Sequence, residues 1–125
     1  MVLPDERWAG EYALAEFAFD GALVAPAVWP TEVLNGLRSA LKQDRLKPAG
    51  VPAALEATAS LRVSVSPPAS ASGWLRLHNH SQATGLTPYD ASYHLLALDQ
   101  QIPLATQDRQ LRAAARAAGI GLLDE

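Results

Sequence analysis

Apolar residues fall along this chain in two kinds of pattern. Short unbroken runs, "ALVAP" at 22–26, "IPLAT" at 102–106 and "IGLL" at 120–123, are punctuated by Pro or Gly and predict buried strands. Elsewhere the spacing turns helical. Residues 5–20 carry Trp8, Tyr12, Ala15 and Phe19 at helical intervals and predict an amphipathic helix. Residues 28–46 predict another, with Pro30 near its start and Leu34, Leu37 and Leu41 as its core stripe. "KPAGVP" at 47–52 breaks it, "AALEATASL" predicts a short helix, and "RVSVSPP" at 62–68 alternates as a strand up to its double proline. "ASASG" at 69–73 reads as a loop and "WLRLHNHSQATG" as a helix closed by Gly85. Thr87 then caps a helix with Pro88 at its first position and Asp90 in its first turn, an acidic variant of the capping box. That helix runs to about Gln100. Asp108 opens the last helix, with Leu111, Ala115 and Ala118 inward and Gly119 closing it.

Short apolar strands alternating with helices call for an α/β fold, a parallel sheet covered by helices on both faces. The length of 125 residues suits one domain, and the 49% of hydrophobic residues are enough for one core. The absence of cysteine excludes disulfides, thiolate metal sites and a cysteine nucleophile. Nothing resembles a signal peptide and no apolar run reaches the ~18 residues of a membrane span, so a cytoplasmic location is expected. A net charge of −3 argues against a broad electrostatic grip on nucleic acid. It leaves room for a nuclease whose metal ions meet the phosphate locally.

Three acids stand out against this frame. In open parallel sheets ligands sit beyond the carboxyl ends of the strands. Glu32 comes shortly after "ALVAP", Asp108 directly after "IPLAT", and Asp90 heads the helix that feeds the latter strand. Right-handed crossovers bring the strand ends to one edge, where the three carboxylates would converge. Such a cluster repels itself unless a hard cation, Mg²⁺ or Mn²⁺, neutralises it, and that cation could activate water for attack on a phosphodiester. Each acid also has a plainer account, as a helix cap or as a partner of a helix dipole. Capping is the better account of any one alone; for three at one edge the balance shifts to chemistry. Other groups carry less. His78 and His80 are two apart on a helix and point to different faces, and His94 falls at an ordinary helix position one turn after Asp90. Ser66, Ser70 and Ser72 lack a nucleophile-elbow motif, and no Walker A or dinucleotide fingerprint occurs. Arg38, Lys42 and Arg45 form a basic face that is either simply solvated or a guide for phosphates or an acidic partner segment.

"VAPAVWPTEVLNGLRSAL", "LTPYDASYHLLAL" and "IPLATQDRQLRAAARAAGIGLL", in that order and spacing, resemble the PIN-domain family (PilT N-terminus), in particular the VapC-like toxins of toxin–antitoxin pairs. The resemblance implies a three-layer PIN-like fold over residues 1–125 and a metal-dependent endoribonuclease using Mg²⁺ or Mn²⁺. It makes Glu32, Asp90 and Asp108 the catalytic, metal-binding acids, with Thr106 and Asn35 supporting them. It further implies an RNA substrate, a cognate antitoxin, a homodimer and no membrane. Family members begin with a strand ending in a metal-binding Asp, ahead of the segment that here reads "LPDERW". Relative to the family this chain thus reads as shortened, lacking the middle strand of the sheet. Pro4 makes "MVLPD" a poor central strand, and Asp5 reads as a helix-start acid. "ALVAP" and "IPLAT" should then flank an empty lane that an N-terminal segment, a rearranged element or a second copy must fill. With that acid absent, the alternative is an inert PIN-like module that binds an antitoxin or self-associates. A phosphoacceptor receiver would need a late lysine, and the last one here is Lys47.

Overall fold

The computed structural model describes residues 14–16, 23–60 and 62–123. Its elements are β1 (Leu14–Glu16), β2 (Leu23–Ala25), α1 (Trp29–Lys42), α2 (Val51–Ala59) and β3 (Ser64–Val65), then α3 (Ala71–Thr84), α4 (Pro88–Gln100), β4 (Leu104–Ala105) and α5 (Arg109–Ala117). A 3-10 turn, Pro48–Gly50, leads into α2. The strands form one sheet in the order β3-β2-β1-β4. The α/β class expected from the sequence is therefore the one observed.

The lane between β2 and β4 is filled by the chain itself. β1 runs antiparallel to β2, with Ala15 opposite Val24 and Glu16 opposite Leu23. It also runs antiparallel to β4, with Leu14 opposite Ala105 and Ala15 opposite Leu104. This corrects the helix expected over 5–20, at least where the chain is described. A lone amphipathic run gains a few tenths of a kcal/mol per residue from helix propensity. Leaving the backbone of two buried strands unpaired costs more. The remainder of that expected helix, with Trp8, Tyr12 and Phe19, lies outside the described residues, as does Asp5. Because β1 opposes both neighbours, β2 and β4 share one direction; β3 pairs parallel to β2. The parallel set is present with one reversed strand inserted. "IGLL" supplies only a single parallel bridge, Leu122 to Leu104.

All three residues of β2 are buried, as a strand covered on both faces requires. Leu23 and Ala25 join the main core with Trp29, Val33, Leu37 and Ala40 of α1, and with Ala91, Tyr93 and Ala97 of α4. Val24 points the other way, to Ile102 and Leu96. The core stripe of α1 is thus shifted from the expected one: Leu37 is buried, but Leu34 is 55% exposed and Leu41 only half-buried. Two apolar stripes overlap in this helix and share Leu37; Trp29 and Val33 face the core and decide between them. In α5, Leu111 and Ala115 are fully buried as expected, while Ala118 lies past the helix end and is exposed. Gly85 (φ 74°) and Gly119 (φ 75°) turn the chain through the left-handed region at the ends of α3 and α5. α3 begins at Ala71, so the end of the expected loop is helical.

Candidate functional site

Three-residue connections, 101–103 and 106–108, join α4 to β4 and β4 to α5. Links that short force both helices to run back along the strand. The starts of α4 and α5 therefore lie toward the carboxyl edge of β4. β2 ends at the same edge and leads through 26–28 into α1, which carries Glu32 in its first turn. The one acid of β1, Glu16, stands opposite Leu23, at the far edge of β2.

Each acid has its own local setting. At the start of α4, the Thr87 hydroxyl is the N-cap and accepts the Asp90 N–H at 3.2 Å. Asp90 itself is half-buried in the first turn. At the start of α5, Asp108 is the cap: its Oδ1 accepts the Leu111 N–H at 2.8 Å. The Thr106 hydroxyl accepts the Asp108 N–H at 3.1 Å. Thr106 is a buried polar residue, 5% exposed. Glu32 is half-buried, with Oε1 shielded from solvent. Asn35, one turn on, is exposed. One turn before Glu32, the Trp29 indole N–H is buried with no hydrogen-bond acceptor among the described residues.

Arg112 was not singled out by sequence reasoning. Its Nη1 donates to the Thr106 carbonyl at 2.8 Å and ties α5 back to the strand end. The signal that could have found it is its position four residues after the cap Asp108, on the same helix face. One histidine also differs from expectation. His94 is not an ordinary helix position but a buried group, bonded to His80 of α3 and to the Ala114 carbonyl of α5. His78 is exposed.

Among the described residues, no group of three His, Asp or Glu side chains lies close enough together to hold a metal ion. As described, these acids do not by themselves make a divalent-cation cage.

The family model of the PIN domain matches residues 4–117, more than nine-tenths of the chain. The chain belongs to the PIN-domain family. PIN domains are typically nucleases and generally use divalent metal ions, so membership points to nuclease-type function and to nucleic acid as the ligand. No curated protein and no solved structure matches the chain significantly. Among the described residues, no helix of this PIN domain is long and apolar enough to cross a membrane.

Proposed function

We propose that this PIN domain is an endoribonuclease of the VapC-like toxin type, cutting RNA phosphodiester bonds in the presence of Mg²⁺ or Mn²⁺. Glu32, Asp90 and Asp108 are its acidic site residues, with Thr106 and Asn35 supporting them. What supports this reading is that Asp90 lies in the first turn of α4 and Asp108 at the start of α5, two helices that begin toward the same strand edge. Carboxylates at such an edge can orient a water and accept its proton as it attacks phosphorus. Thr106 and Arg112 hold the turn that presents Asp108. A cognate antitoxin, a homodimer and a cytoplasmic location belong to the same proposal.

A second reading, an inert PIN-like module that binds an antitoxin or self-associates, is favoured by one specific observation. Asp108 already serves as a helix cap, and no described triad of acids stands together. The two readings separate in a cleavage assay on structured and single-stranded RNA, with Mn²⁺ or with EDTA. Cleavage that EDTA abolishes, and that Asp90→Asn and Asp108→Asn each reduce, supports the nuclease. An intact, folded protein that leaves every RNA uncut with either metal supports the module.

A further inference from the structure

α3 and α4 make the most extensive helix–helix contact of the described chain, and a pair of histidines lies within it. The Nε2 of His80 on α3 lies 2.7 Å from the Nδ1 of His94 on α4, with the two ring centroids 4.9 Å apart. His94 is 2% exposed. Its other nitrogen, Nε2, lies 3.0 Å from the Ala114 carbonyl of α5. One chain of hydrogen bonds therefore crosses three helices.

The protons in that chain can be placed. A carbonyl only accepts, so His94 Nε2 carries a hydrogen. In the neutral ring His94 Nδ1 is then an acceptor, and His80 Nε2–H is its donor. The remaining site for a proton is His80 Nδ1. A proton there leaves the bond intact but puts a cation on α3 one turn from the Arg76 guanidinium. Burial, then His94 and Arg76, hold the protonation of His80 below the ordinary histidine range, and Asp99 opposes them. Asp99 is itself held by Arg76, at 2.6 and 2.5 Å. A second proton would have to enter the pair at His94 Nδ1. It would face the His80 Nε2–H, and two hydrogens do not fit on one 2.7 Å line.

We propose that the His80–His94 pair is a proton-sensitive latch that holds α3 against α4 and α5. The groups facing it are Arg76 from α3, Asp99 from α4 and, from α5, the Ala114 carbonyl. Closed, the pair has room for at most one extra proton on its 2.7 Å line; opened, each ring has a nitrogen free to take one. Opening is thus proton-linked. The closed state is stabilised above about pH 6.5 and loses that stabilisation as pH falls, by up to about tenfold in the opening constant per pH unit for each proton taken up. At mildly acid pH, α3 is the helix that lets go.

The test uses the full chain. Long-range ¹H–¹⁵N spectra at pH 7.5 should show both His80 and His94 as Nε2–H tautomers. Urea unfolding between pH 7.5 and 5.5 should show the wild type taking up between one and two protons on unfolding. His80→Gln, whose amide can still donate to His94, should take up about one and His94→Asn less than that; the double variant should take up close to none. Hydrogen exchange at pH 5.5, corrected for the intrinsic rate, should accelerate in α3 more than in α1. An Nδ1–H tautomer for His94, a proton uptake unchanged in the double variant, or equal acceleration in α1 and α3 would each overturn the proposal. The tautomer and exchange measurements need only the wild type, so they decide the matter even if a variant fails to fold.

Discussion

The starts of α4 and α5 use the same two residue types in opposite roles. At α4 the threonine is the cap and the aspartate lies one turn inside: the Thr87 hydroxyl accepts the Asp90 N–H. At α5 the aspartate is the cap and the threonine lies outside the helix, buried, where it orients the Asp108 backbone. The difference teaches how a carboxylate at a strand edge is weighed. The cap of α4 keeps its Thr87 hydroxyl when Asp90 changes, whereas Asp108 is itself part of what starts α5. An acid that caps can serve both purposes, because Oδ1 alone makes the cap.

The largest expected effect breaks the comparison by activity. If both acids serve RNA cleavage, Asp90→Asn and Asp108→Asn should each lower the cleavage rate on the order of 100-fold or more, the scale of removing one charged group from a reacting centre. Equal losses at both would show that the structural difference between the helix starts does not matter to chemistry. A next, smaller effect sharpens it by stability. Thr87→Ala and Asp108→Ala should each cost about 1 kcal/mol in urea unfolding, since each removes an N-cap, while Asp108→Asn should cost much less because Asn also caps well. Asp90→Ala removes a carboxylate from the first turn of α4 and should cost roughly 0.3–1 kcal/mol, falling with added salt. A loss at Asp90 as large as at Asp108, and indifferent to salt, would contradict the assigned roles.

The smallest effect concerns the far end of α4, where Asp99 meets Arg76 of α3. The Arg76 bond holds the Asp99 carboxyl below its ordinary range. Its contribution is therefore present above about pH 4 and is lost as pH falls further. Both side chains are largely in solvent, so Asp99→Asn should change stability by no more than about 0.5 kcal/mol, and by less at high salt. That loss lies at lower pH than the histidine-linked loss, and acid titration of stability resolves the two.

Local rules made much of this PIN domain legible in its sequence. The Thr87-Pro88 start and Gln100 end of α4, the Asp108 start of α5, the Gly85 and Gly119 stops and the burial of Leu23–Ala25 and Leu104–Ala105 all follow from chemistry within a few residues. The family could be read for the same reason: its motifs are strand-to-helix junctions, and each junction is written locally. Tertiary structure decided the rest. Leu14–Glu16 is helical by its own spacing but becomes a strand, because two buried strands on either side leave backbone groups that only a third can pair. Trp29 and Val33, and not Leu34, face the core of α1 because the stripe that wins is set by what lies opposite. His94 acquires its partners from helices 14 and 20 residues away in sequence, a relation no local pattern records. Whether acids that share an edge also share a ligand depends on distances of a few ångströms between separate elements, which packing alone sets.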